Sequence, residues 1–142
     1  MNSVFNLYRV LMDNDEMIAK AQSFAHITGL TDECASGQVA CVLITEKGNE
    51  FIGVSFYSAC GLGTCAEHGA VQNMLAHGEN QIKKIVAVRE NGRILPPCGR
   101  CRELLFQVCR QNLDTEVIVG KNKTLKLNAL LPNRWQDADG KR

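Results

Sequence analysis

A surplus of charge of one sign is missing from this sequence. Its 142 residues carry 16 Lys and Arg against 15 Asp and Glu, a formal net charge of +1. A protein whose main partner is a phosphate backbone ordinarily has a strong basic excess. The balance argues against nucleic acid and for small or neutral partners. Long apolar runs are missing too: no segment approaches the roughly 20 apolar residues needed to span a bilayer, which argues against a membrane partner. The stretch Met1–Met12 is interrupted by Asn6 and Arg9, with no small-residue cleavage site after it, and reads poorly as a secretory signal. No internal repeat, low-complexity tract or linker interrupts the chain. What remains is a composition 45% hydrophobic and 22% charged, that of a globular protein. The length fits a single domain covering residues 1–142.

Seven cysteines are present. An odd count with no secretory context predicts free thiols in a reducing cytoplasm, available to a metal, and not a disulfide framework.

The segment from Asp13 to His26 predicts a helix. It has acidic residues in its first turn, Met17, Ala21 and Phe24 at helical spacing, and Gly29 beyond its end. Gln38–Thr45 and Phe51–Tyr57 predict strands joined in a hairpin by Glu46-Lys47-Gly48-Asn49. Thr64–His77 predicts a second helix with Gly78 as its stop. Ile82–Arg89 predicts a buried strand. Pro96-Pro97 bars helix just before Cys98, and Cys98–Gln111 predicts a third helix with Leu104, Leu105 and Val108 on its apolar face. Glu116–Gly120 and the short Leu125–Leu127 complete the set. A hairpin followed by helix, strand, helix, strand predicts an α/β fold, an αβα sandwich around a mixed sheet of about five strands.

Three thiols carry the chemistry. Cys98 and Cys101 form a C-x2-C pair at one helix start, and Cys65 stands at another. Three protein ligands with the fourth position open is the arrangement of catalytic zinc. Helix starts favour thiolate over thiol through their free N–H groups and partial positive charge. Arg100, Arg102 and a protonated His68 are the candidate counter-charges. Glu67 follows a ligand by two residues, so its carboxylate can reach the open position without occupying it and serve as a general acid and base. Together these residues predict hydrolytic attack on an electrophilic carbon.

At Cys65-Ala66-Glu67 and Pro97-Cys98-Gly99-Arg100-Cys101 the chain resembles the zinc-dependent cytidine deaminases, whose signature is a metal-ligand-x-Glu followed by P-C-x-x-C. A thiol in the first position is similar to the nucleoside-type branch. The likeness extends to the Ala40–Tyr57 hairpin and Leu130-Leu131-Pro132, and covers most of the chain after residue 36. It implies a cytidine deaminase-like fold, Zn2+ on Cys65, Cys98 and Cys101, and Glu67 shuttling protons. It also implies the Ala66 N–H at the pyrimidine carbonyl, and a cytosine nucleoside or analogue converted to the uracil product and ammonia. Where the family carries N-V-E-N, whose Asn and Glu bind ribose, this chain reads Ser55-Phe56-Tyr57-Ser58. A tyrosine at the Glu position, and the stretch Arg93–Arg102, look closest to the blasticidin S deaminases, although those keep Asn where Ser55 stands. His68 replaces a usual Arg. The resemblance further implies a homo-oligomer, commonly a tetramer, with Trp135 closing a neighbouring subunit's site.

Two other readings compete. Thr64-x-x-Glu67 is also the pattern of a plain capping box. Cys60 could join Cys65, Cys98 and Cys101 in a closed, four-cysteine structural zinc site, leaving a binding module without activity. Cys34, Cys41 and Cys109 read as small buried hydrophobes, and His26 and His77 as surface or capping residues.

Overall fold

The computed structural model describes residues 11–138 and residue 140; most of the Met1–Met12 stretch lies outside them. Helix α1 (Asn14–Phe24) starts at a complete capping box: Glu16 N–H donates to Asp13 Oδ1 at 2.8 Å and Asp13 N–H to Glu16 Oε2 at 2.9 Å. The pair satisfies two of the donors that a helix start leaves unpaired. Met17 and Ala21 are fully buried, but Phe24 is exposed. It is the last helical residue, and the chain leaves the helix there, earlier than the spacing predicted.

The strands are β1 (Thr28–Thr31), β2 (Cys34–Thr45), β3 (Glu50–Ser58), β4 (Ile82–Arg89), β5 (Glu116–Gly120) and β6 (Lys123–Lys126). Helices α2 (Ala66–Ala76) and α3 (Gly99–Val108) flank β4, and a single turn, α4 (Leu127–Leu130), follows β6. All six strands form one sheet, in which β2 pairs with β1, β3 and β4, and β5 lies between β4 and β6. The β4–β5 pair is parallel and the others antiparallel, so the sheet is mixed. The strand the periodicity missed is β1, every residue of which is exposed, so no burial alternation marks it in the sequence.

Period-two alternation divides the core. Val42, Ile44, Val86, Val88 and Ile118 face α1, packing on Met17 and Ala21. Cys41, Leu43, Ile85, Ala87 and Val117 face the other way, onto α2 and α3 through Ala70, Val71, Met74, Leu105 and Phe106. Each large buried side chain contributes about 1.5–3 kcal/mol. The result is the predicted αβα sandwich. Leu104 and Val108 pack at the margin of the second core.

Two close approaches fix the helices that matter. Gly53 lets β3 lie directly under α2: a Cβ there would stand 2.1 Å from Ala70 N and 2.4 Å from Ala66 O. In the β4–α3 loop, Leu95 N–H donates to the Ala87 carbonyl at 2.9 Å and Ile94 bridges to Val88. That tether holds Pro96-Pro97 against the end of β4, with Cys98 at the head of α3.

Candidate active site

Cys65 is the N-cap of α2 and Cys98 the N-cap of α3; both have extended backbone and neither makes a side-chain cap bond. Thr64 is not the cap. Its backbone is paired with Phe56 in an isolated bridge, so the capping-box reading of Thr64 and Glu67 fails. The caps are thiols that leave the first-turn N–H groups open, which is how a helix start holds negative charge.

Cys101, one turn into α3, is buried. The sulfurs of Cys65, Cys98 and Cys101 all lie within 4.8 Å of one another, and Cys65 Sγ stands 3.7 Å from Cys98 Sγ. Thiolates about 2.3 Å from a tetrahedral zinc stand about 3.8 Å apart, so the spacing fits that ion. The acid–base chemistry fits as well. Burial, then a hydrogen bond with Cys98, pushes the Cys65 thiol up. Burial, then the charges of Glu67 and Cys65, pushes Cys101 far above the ordinary thiol range. For Cys98, burial is outweighed by hydrogen bonds from the Cys101 backbone and thiol, and its value falls. Three thiols crowded together can all ionise only around a cation, and a divalent metal supplies it.

Cys60 is not in the cluster. It sits exposed on a 3-10 turn over Ala59–Gly61 with φ 61°, and among the described residues the metal-ligating group is the three thiols alone. The closed four-cysteine site is therefore corrected to an open three-thiol site. Cys41 is buried as expected, whereas Cys34 and Cys109 are only half-buried.

A cavity of about 470 Å³ opens over the thiols, lined by Cys65, Ala66, Glu67, Cys98, Ser55 and Tyr57 among others. Glu67 is 6% exposed. Burial raises its pKa, opposed by hydrogen bonds from its own backbone N–H and from Cys101. Ala66 opens α2, so its N–H belongs to the first turn that the helix itself leaves unpaired. Ser55 is buried, and its Oγ accepts the Val39 N–H at 3.0 Å. Tyr57 is half exposed and donates from its hydroxyl to Gln38 Oε1 at 2.5 Å. Trp135 does not line this cavity. The residue is 71% exposed, with its indole Nε1 donating to Glu103 Oε1 at 3.0 Å.

The candidate counter-charges separate. Arg102 is engaged elsewhere, its Nε donating to the Pro97 carbonyl at 2.7 Å and an Nη to the Leu130 carbonyl at 3.0 Å. Burial, then the charge of Arg100, holds His68 below its usual value and thus neutral. Arg100 lines the cavity and is left as the cation beside the thiols. Two roles were not anticipated from the sequence: Arg102 as a clamp on carbonyls, which no local pattern signals, and Gln38 as the partner of Tyr57. Gly37, immediately before the predicted strand and inside the observed β2, is the mark that could have drawn attention to Gln38.

An open three-thiolate metal centre at paired helix starts, carried on a mixed αβα sandwich with a buried carboxylate beside it, defines a zinc-dependent hydrolase. The chain belongs to the cytidine and deoxycytidylate deaminase family: the family's zinc-binding region matches residues 12–120. It is similar to a cytidine deaminase of Halalkalibacterium halodurans, 29% identical over 107 residues, 72% of this chain and 80% of that one. It also resembles a cytidine deaminase of Sporosarcina psychrophila, 24% identical over 134 residues, 90% and 95% of the two chains. The crystal structure of the cytidine deaminase from Mycobacterium tuberculosis shares the fold with a TM-score of 0.72 at 21% identity, covering 87% of this chain and 98% of that one. The three thiols are thus the zinc site of a hydrolytic deaminase. Among the described residues no helix is long and apolar enough to cross a membrane.

Proposed function

We propose that residues 1–142 form one catalytic domain that deaminates the cytosine ring of a nucleoside, cytidine or deoxycytidine, giving the uracil product and ammonia. The observation that carries this reading is one cavity holding both the three-thiol cluster and the buried Glu67 carboxylate. When bound, zinc lowers the pKa of a water at its open position to about 7 and so supplies the nucleophile for C4. Glu67 takes the proton that water gives up and delivers it to ring N3. It then takes the remaining proton from the new C4 hydroxyl and gives it to the exocyclic amine, so that the C4–N bond breaks, the C4 carbonyl forms and ammonia leaves. A carboxyl whose pKa is raised by burial suits both halves of that transfer. The Ala66 N–H donates to the ring carbonyl and orients the base. Ser55 and Tyr57 stand where the sugar lies.

The assembly is a homo-oligomer, commonly a tetramer in this family, in which the exposed Trp135 covers a neighbouring subunit's cavity. The compartment is the cytoplasm, where seven unpaired thiols remain reduced. A second substrate, blasticidin S, is favoured by Tyr57 at the family's Glu position and by the stretch Arg93–Arg102. Ultraviolet absorbance of zinc-loaded protein with cytidine, deoxycytidine and blasticidin S in turn tests both. Loss of the cytosine spectrum on the nucleosides supports the first reading, turnover of blasticidin S alone the second, and silence on all three refutes both.

A further inference from the structure

β2 and β3 fall out of step at one place. Ser36 pairs with Phe56 and Ala40 with Val54, so Gly37, Gln38 and Val39 stand opposite Ser55 alone. Extra residues of this kind bend a strand and re-aim its side chains, often beside active sites. The irregularity is built into the surrounding structure. Gly37 has φ +88°, and a Cβ there would lie 2.1 Å from the His26 carbonyl oxygen. The Val39 N–H donates to Ser55 Oγ. The Gln38 carbonyl accepts from Glu90 N–H at 2.9 Å. On a regular strand Gln38 would face away from the side that Val39 faces. Here its amide reaches Tyr57, and both Val39 and Tyr57 line the cavity.

We propose that Gln38 and Tyr57 act as one element that reads an uncharged hydroxyl on the sugar of the substrate, with Gln38 positioning the phenol. This rests on the nucleoside reading above. The Tyr57 hydroxyl gives its proton to Gln38 Oε1, so its oxygen is left as an acceptor only. The Gln38 amide nitrogen keeps two N–H donors. A sugar hydroxyl is the group that satisfies both at once, donating to Tyr57 Oη and accepting from Gln38 Nε2. An ionised carboxylate or phosphate has no proton for the phenol oxygen and would be turned away by its lone pairs. The pair carries no charge, so it adds nothing to the negative charge of three thiolates and Glu67.

The test is steady-state kinetics of the zinc-loaded protein, Gln38→Ala and Tyr57→Phe, on cytidine, 2′-deoxycytidine, 3′-deoxycytidine and 2′,3′-dideoxycytidine. Zinc content and melting temperature are measured alongside. Each substitution should raise KM for cytidine about 3- to 10-fold, the loss of one hydrogen bond, with kcat nearly unchanged. KM for the dideoxy compound should stay where it was, and the monodeoxy pair should identify which hydroxyl is read. Equal losses on cytidine and dideoxycytidine, or an unmoved KM for cytidine in both variants, would overturn the proposal. Failure of the unsubstituted protein to turn over any of the four would overturn the nucleoside reading beneath it, and this role with it.

Discussion

Gly53 of β3 and Ala70 of α2 meet backbone to backbone, with a Cβ on Gly53 falling 2.1 Å from the Ala70 nitrogen. No side chain fits between strand and helix at this point, so the depth at which α2 sits, and with it the height of Cys65 and Glu67, depends on this contact and on Gly69, which packs on the same stretch of β3. Gly53→Ala should destabilise the fold by about 1–3 kcal/mol or more, since backbone cannot move aside as a side-chain tip can. The measurement is the denaturant midpoint together with zinc content. Unchanged stability would mean that α2 is free to shift.

Glu67→Gln should reduce turnover by a factor on the order of 10²–10⁴ or more, because an amide cannot carry a proton between water, ring nitrogen and amine. Zinc content should remain at the unsubstituted level, since the three thiols are untouched. Turnover retained with zinc bound would sink the proton-transfer role.

Cysteine substitutions should divide cleanly. Cys98→Ala should lose the metal, because two ligands remain, whereas Cys60→Ala should keep it, because Cys60 lies outside the cluster. Metal analysis after exhaustive dialysis decides it. Zinc lost from the Cys60 variant would restore the four-cysteine site.

Arg102 joins the carbonyl before Cys98 to the carbonyl that ends α4. Arg102→Lys keeps the charge but cannot span both acceptors with a planar fork. It should release zinc to a chelator faster than the unsubstituted protein does, with the melting temperature falling less than in Arg102→Ala. Equal release rates for all three proteins would show that the clamp has no hold on the metal loop.

Asn112 is fully buried and makes three bonds: it accepts the Ile82 N–H at 2.8 Å and donates to the carbonyls of Leu105 and Asn80. Asn112→Ala strands those groups away from water. It should cost at least about 1–3 kcal/mol, read as a fall in melting temperature of roughly 2–4 °C per kcal/mol. A melting temperature that does not move would refute the account of Asn112 as a structural keystone.

The sequence yielded most readily where periodicity and chemistry coincide. Ile82–Arg89 and Glu116–Gly120 alternate between two buried faces, and both strands fall on those residues. The thiols were legible because a C-x2-C pair and a remote cysteine have few other uses. Helix starts were less legible. Thr64 looks like the better cap by composition, but pairing with Phe56 keeps it extended and passes the cap to Cys65. β1 was invisible because no face of it is buried. The Gln38–Tyr57 contact joins residues that meet only because of an irregularity in strand register, and a local reading of either stretch does not contain it.

That irregularity has a wider meaning for how such a protein can change. β2 keeps step with β4 from Val39 to Ile44 while its register against β3 slips between Ser36 and Ala40. The slip is absorbed on one side of a single strand, and it meets the crossover that delivers Cys98 and Cys101 only at its first residue, where the Glu90 N–H donates to the Gln38 carbonyl. The β2 side of the cavity rim is therefore set apart from the α3 ligands, whereas the β3 side is tied to Cys65 through the Phe56–Thr64 pair. Side chains can be exchanged at Gln38 and Val39, and the range of molecules admitted can shift, with Cys98 and Cys101 left in place.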